Sequence, residues 1–290
     1  MEWTEWKQIV STVHGLARAM PSDRFDFTDA QIVLVYLWAC YHDKPVSWAC
    51  RKGHWPVFAC QGLPSTSTMS RRLRLARVLE LLESARVHLE GPPQGRLVHI
   101  IDGKILPVAT HSQDRQATRG GPGGRQRGYR LHSLCEPGGR RVACQVHPLH
   151  VDETVVARSL LEQSGVQGYV LGDTRYHSDD LCRLGGRLGQ QLLAPRRRCE
   201  TGGVGHRRHS HERLRCLDML ERSPTAFSLA LFARRRDIET MHAHLCGCAG
   251  GLIGLPAWVR TLPRVRLWVL GKLVLDAARR RRLARRDSAG

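Results

Sequence analysis

The stretch LVHIIDGKILPVAT, residues 97–110, decides the architecture of this chain. Val98, Ile100 and Ile101 read as a buried strand, yet the run ends on Asp102, followed by Gly103 and Lys104. An ionised carboxylate is costly to bury unless a cation meets it. Either this strand end is exposed or a cation belongs there. The stretch is read as one strand, bent near Gly103. Immediately before it, EGPPQGR (90–96) breaks a helical pattern with Pro and Gly and marks the best domain boundary in the chain.

Working outward, the strand pattern continues on the C-terminal side. Residues 129–149 form a hairpin around Pro137-Gly138-Gly139. DETVVARSLLEQSG is a helix capped by Asp152, and GYVLGD (168–173) is another strand running into a carboxylate, Asp173. A helix capped by Ser178 and the short strand QLLAP follow. The order strand, strand, strand, helix, strand, helix, strand, helix implies an α/β fold: a mixed sheet with helices on its faces. Two Gly- and Arg-rich segments, 111–128 and 196–213, read as basic loops, the first of them mobile. His206, His209 and His211 in the second match no metal-ligand spacing and are read as solvated.

On the N-terminal side, residues 1–92 read as a small all-helical domain. Trp3, Trp6, Val10, Val13 and Ala17 share one helical face. Thr28 and Gln31 form a capping box, and Pro45 can open a third, short helix. LPSTSTMSRRLRLARVLELLESARV is read as one basic helix capped by Ser65 or Thr66. This arrangement resembles a helix-turn-helix module, with Arg71, Arg72, Arg74 and Arg77 toward phosphates or a groove. The competing reading is an ordinary helix with a solvated basic face.

Lys and Arg total 45 against 26 Asp and Glu, a net charge of +19, which favours a polyanionic partner, most commonly nucleic acid. The apolar fraction, 42%, suffices for a sizeable core. The ten Cys include no C-x-x-C pair, and no stretch has the length of a membrane span. The start MEWTEWKQIV lacks the pattern of a secretory signal, so a cytoplasmic chain with reduced thiols, associated with the nucleoid through DNA, is expected.

Strands ending on Asp102 and Asp173 can be neighbours in such a sheet. Their like charges then repel unless a divalent cation lies between them, and oxygen ligands suit Mg²⁺ or Mn²⁺. A third acid is needed for two ions. Glu239, in the helical stretch LALFARRRDIETMHAHL, is the candidate, although taken alone it reads equally as a surface partner of Arg235. His242, His244, Cys246 and Cys248 alternate, but residues two apart on a helix face different ways.

FARRRDIE fits a Y-x2-R-x3-E signature, with Phe232 for Tyr, then Arg235 and Glu239. Together with IDGK around Asp102, RGYRLH on the second strand and LGDTRYHS around Asp173, it resembles the DDE transposases of bacterial insertion sequences over residues 95–280. The resemblance implies a ribonuclease H-like domain spanning 95–278, followed by a basic tail, 279–290. It further implies that Asp102, Asp173 and Glu239 are catalytic and hold two Mg²⁺ (or Mn²⁺) ions for phosphodiester cleavage and strand transfer. Phe232, Arg235, Lys104 and Arg175 would then contact DNA, Arg71, Arg72 and Arg74 would serve the terminal inverted repeats, and the protein would act as a homodimer on DNA. Cys246 stands where the signature has a Lys, which leaves a degenerate, binding-only protein as the alternative.

Overall fold

The structure, a computed structural model, describes residues 3–21, 25–56, 62–196, 209–247 and 250–287. His206 and Cys248 lie outside the described residues. The chain divides into two compact units, one comprising Met1–Pro92 with His244–Gly290 and the other Pro93–Ala243.

In the first unit, α1 (Trp3–Arg18) buries Trp6, Ile9 and Val13. Helix α2 (Asp29–Tyr41) is apolar on every side and central, and its start carries the expected capping box: Thr28 Oγ1 accepts from the Gln31 N–H, and Gln31 Oε1 accepts from the Thr28 N–H. Pro45 leads into α3 (Val46–Ala49). The basic segment is not one helix. It breaks after α4 (Thr66–Arg72) and restarts as α5 (Ala76–Glu90). Arg72 and Arg77 both bond the Asp29 carboxylate. Five residues apart on a straight helix they would diverge by about 140°, and the break at Leu73–Leu75 lets both converge.

The C-terminal segment also departs from expectation. The helix Leu262–Asp287 belongs to this first unit, packing on α5, α2 and α1 through an apolar stripe that includes Val265, Trp268, Val269 and Val274. Its arginines are not a free tail. Arg280 pairs with Glu90 at 2.8 Å and Arg282 with Glu5 at 2.9 Å, which fixes the basic end within the helical bundle. No helix among the described residues is long and apolar enough to cross a membrane.

The second unit is a mixed α/β structure compatible with a ribonuclease H-like fold. Its strands are β1 (Val98–Pro107), β2 (Thr118–Gly120), β3 (Gln126–Cys135), β4 (Arg141–Pro148), β5 (Gly168–Leu171) and β6 (Gln190–Leu193), in the order β2-β3-β1-β5-β6 with β4 also on β3. Strand β1 is antiparallel to β3 and parallel to β5, which is parallel to β6. Between the strands run α6 (Glu153–Ser164), capped by Asp152, and α7 (Asp179–Arg187), capped by Ser178. They cover the sheet face of Ile101, Leu134, Val170 and Leu192. The opposite face, with Ile100, Cys135, Leu171 and Leu193, is covered by α8 (His211–Leu217), α9 (Ala226–Ala233) and α10 (Asp237–Cys246). A 3-10 turn over Arg234–Arg236 joins α9 to α10, so the expected single helix is tightened at its arginines. The segment 111–128, expected as a mobile loop, contains β2 and is tied to β3.

Candidate active site

The register of the two parallel strands sets the site. Ile100 pairs with Leu171, and Asp102 and Asp173 each stand two residues further along. Side chains alternate along a strand, so Asp102 falls on the Ile100 face that α9 and α10 cover, and Asp173, just past the end of β5, lies close enough to act on its charge. Asp173 also caps the turn Thr174–Tyr176, its Oδ1 accepting the Arg175 N–H at 2.8 Å. Burial pushes the Asp102 carboxyl above the usual carboxylate range. Asp173 beside it adds to that shift, while the Gly103 N–H and Arg235 oppose it. Two neighbouring, partly desolvated carboxylates are hard oxygen donors, and they fit Mg²⁺ or Mn²⁺.

Helix α10 meets this pair through Ile238 and Met241, which enter the core, and through His242, whose Nδ1 lies 3.7 Å from Asp102 Oδ2. Burial, with Arg141 and Lys104 nearby, pushes the His242 pKa down to about 4. The imidazole is therefore neutral at neutral pH, and the contact is too long for a hydrogen bond. It is a packed neighbour of Asp102 rather than an ion pair, and its buried Nε2 has no hydrogen-bond partner among the described residues.

Glu239 stands one turn before His242, along the same edge of the helix. Its side chain is 67% exposed and lies 3.6 Å from Arg235. The structure thus brings Asp102, Asp173, Arg235 and His242 together and leaves Glu239 at the rim. Among the described residues no group of three or more His, Cys, Asp or Glu side chains is gathered for a metal.

Beneath Asp102 lies a charged cluster that reading the sequence does not reveal. Glu153, the first residue of α6, is buried and binds both Arg130 of β3 and Arg175. Gly103 makes room for it. A Cβ there would sit 2.6 Å from Arg130 Cδ and 3.3 Å from Glu153 Oε2. Tyr176 is wholly buried nearby, its hydroxyl without a hydrogen-bond partner among the described residues and its pKa raised by burial and by Glu153, Asp102 and Asp173. The available signal was Arg130 itself, a permanent cation in the buried strand YRLHSLC, which demands a buried anion.

The remaining predicted contacts divide. Lys104 is half-buried on the Asp102 face, and Phe232 packs half-buried against the apolar cluster under α9 and α10. Arg175 is engaged by Glu153 rather than standing free for phosphate. Arg71 and Arg74 are exposed. Arg72 is not a surface residue: it is 4% exposed, donates to Asp29 at 2.6 Å and to the Phe27 carbonyl at 2.9 Å, and is removed from any groove by that ion pair.

No curated protein and no solved structure matches the chain. The family model of the transposase DDE domain matches residues 93–248, more than half of the sequence and the whole of the unit that carries Asp102 and Asp173. With this match over the strand ends that carry Asp102 and Asp173, the chain belongs to the DDE-domain transposase family.

Proposed function

We propose that this transposase cleaves phosphodiester bonds at the ends of a bacterial insertion sequence and transfers the resulting strands into target DNA. The observation that supports the reading is the parallel β1–β5 pairing, which brings the ends of the two strands, and with them Asp102 and Asp173, to one edge of the sheet.

Asp102, Asp173 and Glu239 are the ligands we assign to two divalent ions, Mg²⁺ or Mn²⁺. The chemistry such ions supply is Lewis acidity, which makes water or a DNA 3′-hydroxyl a competent nucleophile and offsets charge on the leaving oxygen. The chain's own part is placement. The Asp carboxylates form a fixed anionic pole at the end of a rigid sheet. Glu239 reaches that pole by turning from Arg235, a movement its exposure permits. Arg235, released, becomes available to a phosphate beside the scissile bond, and Lys104 offers a second cation on the same face. Phe232 backs this helix edge. The N-terminal helical unit, with exposed Arg71 and Arg74, binds the terminal inverted repeats, and two copies pair on the DNA.

The test is end cleavage with Mg²⁺ by wild type and by Asp173→Asn, with DNA affinity measured without metal on the same preparations. Loss of cleavage by several orders of magnitude with affinity and folding intact is expected, the scale typical of a lost catalytic group. Wild-type cleavage by the variant would refute the assignment.

A further inference from the structure

The segment between β1 and β3 is a built lobe. The Arg127 guanidinium donates to the carbonyls of Ser112 (2.7 Å), Ala117 (3.1 Å) and Asp114. The buried Asp114 carboxylate accepts the Tyr129 hydroxyl at 2.7 Å and the Gln116 N–H at 3.0 Å. Strand β2 pairs with β3, and Gly120 lies so close to Leu149 that a Cβ would sit 2.6 Å from its carbonyl oxygen. Such a network spends a buried carboxylate and a half-buried cation on holding a short loop still. What the loop presents outward is Arg115, Arg119 and Arg125, all exposed and with no carboxylate partner among the described residues.

Strand register gives the lobe a direction. Asp102 pairs with Ser133 and Leu106 with Tyr129, so Tyr129 shares the Asp102 face. The Asp114–Tyr129 bond therefore seats the lobe on the catalytic face. Asp102 and Pro107 are five residues apart, about 17 Å along a strand at roughly 3.3 Å per residue. That is about five base pairs at roughly 3.4 Å each along a DNA strand.

We infer that the lobe 108–128 is a second DNA surface, on which Arg115, Arg119 and Arg125 grip backbone phosphates about five base pairs from the scissile bond. The inference rests on the transposase reading above. It is tested by the salt dependence of duplex affinity, without metal, for the triple variant Arg115→Gln, Arg119→Gln, Arg125→Gln. The control triple is Arg158→Gln, Arg183→Gln, Arg187→Gln on α6 and α7, which cover the opposite sheet face. Each lost phosphate contact flattens the log–log salt slope by about 0.9. The lobe triple should be shallower by about 2 to 3 and should lose footprint protection five base pairs inside the end. The control should keep both, and an Arg-to-Lys triple in the lobe should restore them. Equal slopes for the two Gln triples, in a wild type that binds and cleaves, overturn the lobe assignment alone. A wild type with no salt-dependent affinity overturns the transposase reading and this inference with it. Thermal unfolding of each variant separates lost contacts from lost fold.

Discussion

Glu153→Gln should be among the most damaging single substitutions in the catalytic unit, although the side chain keeps its shape. Glu153 is 9% exposed in its side chain and binds Arg130, which is 4% exposed. It also binds Arg175, which at 35% exposure can regain water when released. Arg130 cannot. The substitution therefore strands one buried guanidinium, for which breaking a buried pair costs about 3–5 kcal/mol. Rehydration of Arg175 makes its share small. For a unit of the length of Pro93–Ala243, each kcal/mol lowers the melting temperature by roughly 2–4 °C, so a fall of roughly 6–20 °C is expected.

The assay is chemical and thermal unfolding of wild type, Glu153→Gln, Arg130→Met and the double variant Glu153→Leu with Arg130→Met. Removing both charges leaves nothing unpaired, so the double variant should lie within about 1–2 kcal/mol of wild type, far from the sum of the single losses. A Glu153→Gln protein within about 1 kcal/mol of wild type would refute the reasoning. So would additive losses in the cycle, which would mean that the two groups do not sense each other.

Further outcomes follow from the same geometry. Burial and Asp173 raise the Asp102 pKa above its unfolded value, so ionising Asp102 costs the folded state. Without metal, Asp102→Asn should thus be more stable than wild type at neutral pH, and the gain should vanish as pH falls below the ordinary carboxylate range, about 4, read as melting temperature against pH. Glu239→Gln, on an exposed side chain, should change stability by less than about 0.5 kcal/mol while cutting Mg²⁺-dependent end cleavage at least about a thousandfold. Arg72→Ala should destabilise the helical unit by about 3 kcal/mol, because Asp29 loses a buried partner but keeps Arg77. Arg71→Gln and Arg74→Gln should instead leave the melting temperature unchanged and flatten the salt dependence of DNA affinity by about 0.9 each. Saturating Mn²⁺, about a hundredfold above its Kd, should stabilise wild type by about 2.7 kcal/mol and Asp173→Asn far less, read by calorimetry.

Local signals carried far in this chain. Thr28 with Gln31, Asp152 and Ser178 cap the helices that follow them, because a cap needs only a side chain and a backbone N–H two or three residues away. The hairpin around Gly138-Gly139 was legible for the same reason. What failed was non-local. The run RRLRLAR looks helical throughout, and nothing in its own composition announces that Asp29, some 45 residues earlier, draws both Arg72 and Arg77. The Arg-rich end of the C-terminal helix reads as a tail until Glu5 and Glu90 are seen beside it.

The site follows the same division. A carboxylate at the end of an apolar strand is visible locally, and two of them on strands of one sheet pointed to a shared cation. Which acid completes the set is not a local property. Glu239 came only through the resemblance of FARRRDIE to a family signature, and its side chain pairs with Arg235 as any surface helix residue would. The two observations agree physically. Three carboxylates gathered without a cation would repel one another, and Asp102 already carries the cost of burial and of Asp173. An acid on the exposed edge of the helix meets the nearest guanidinium, Arg235, instead. Under the proposed assignment Arg235 and Glu239 act as one unit: the guanidinium becomes available to DNA only if the carboxylate turns from it toward the two Asp residues.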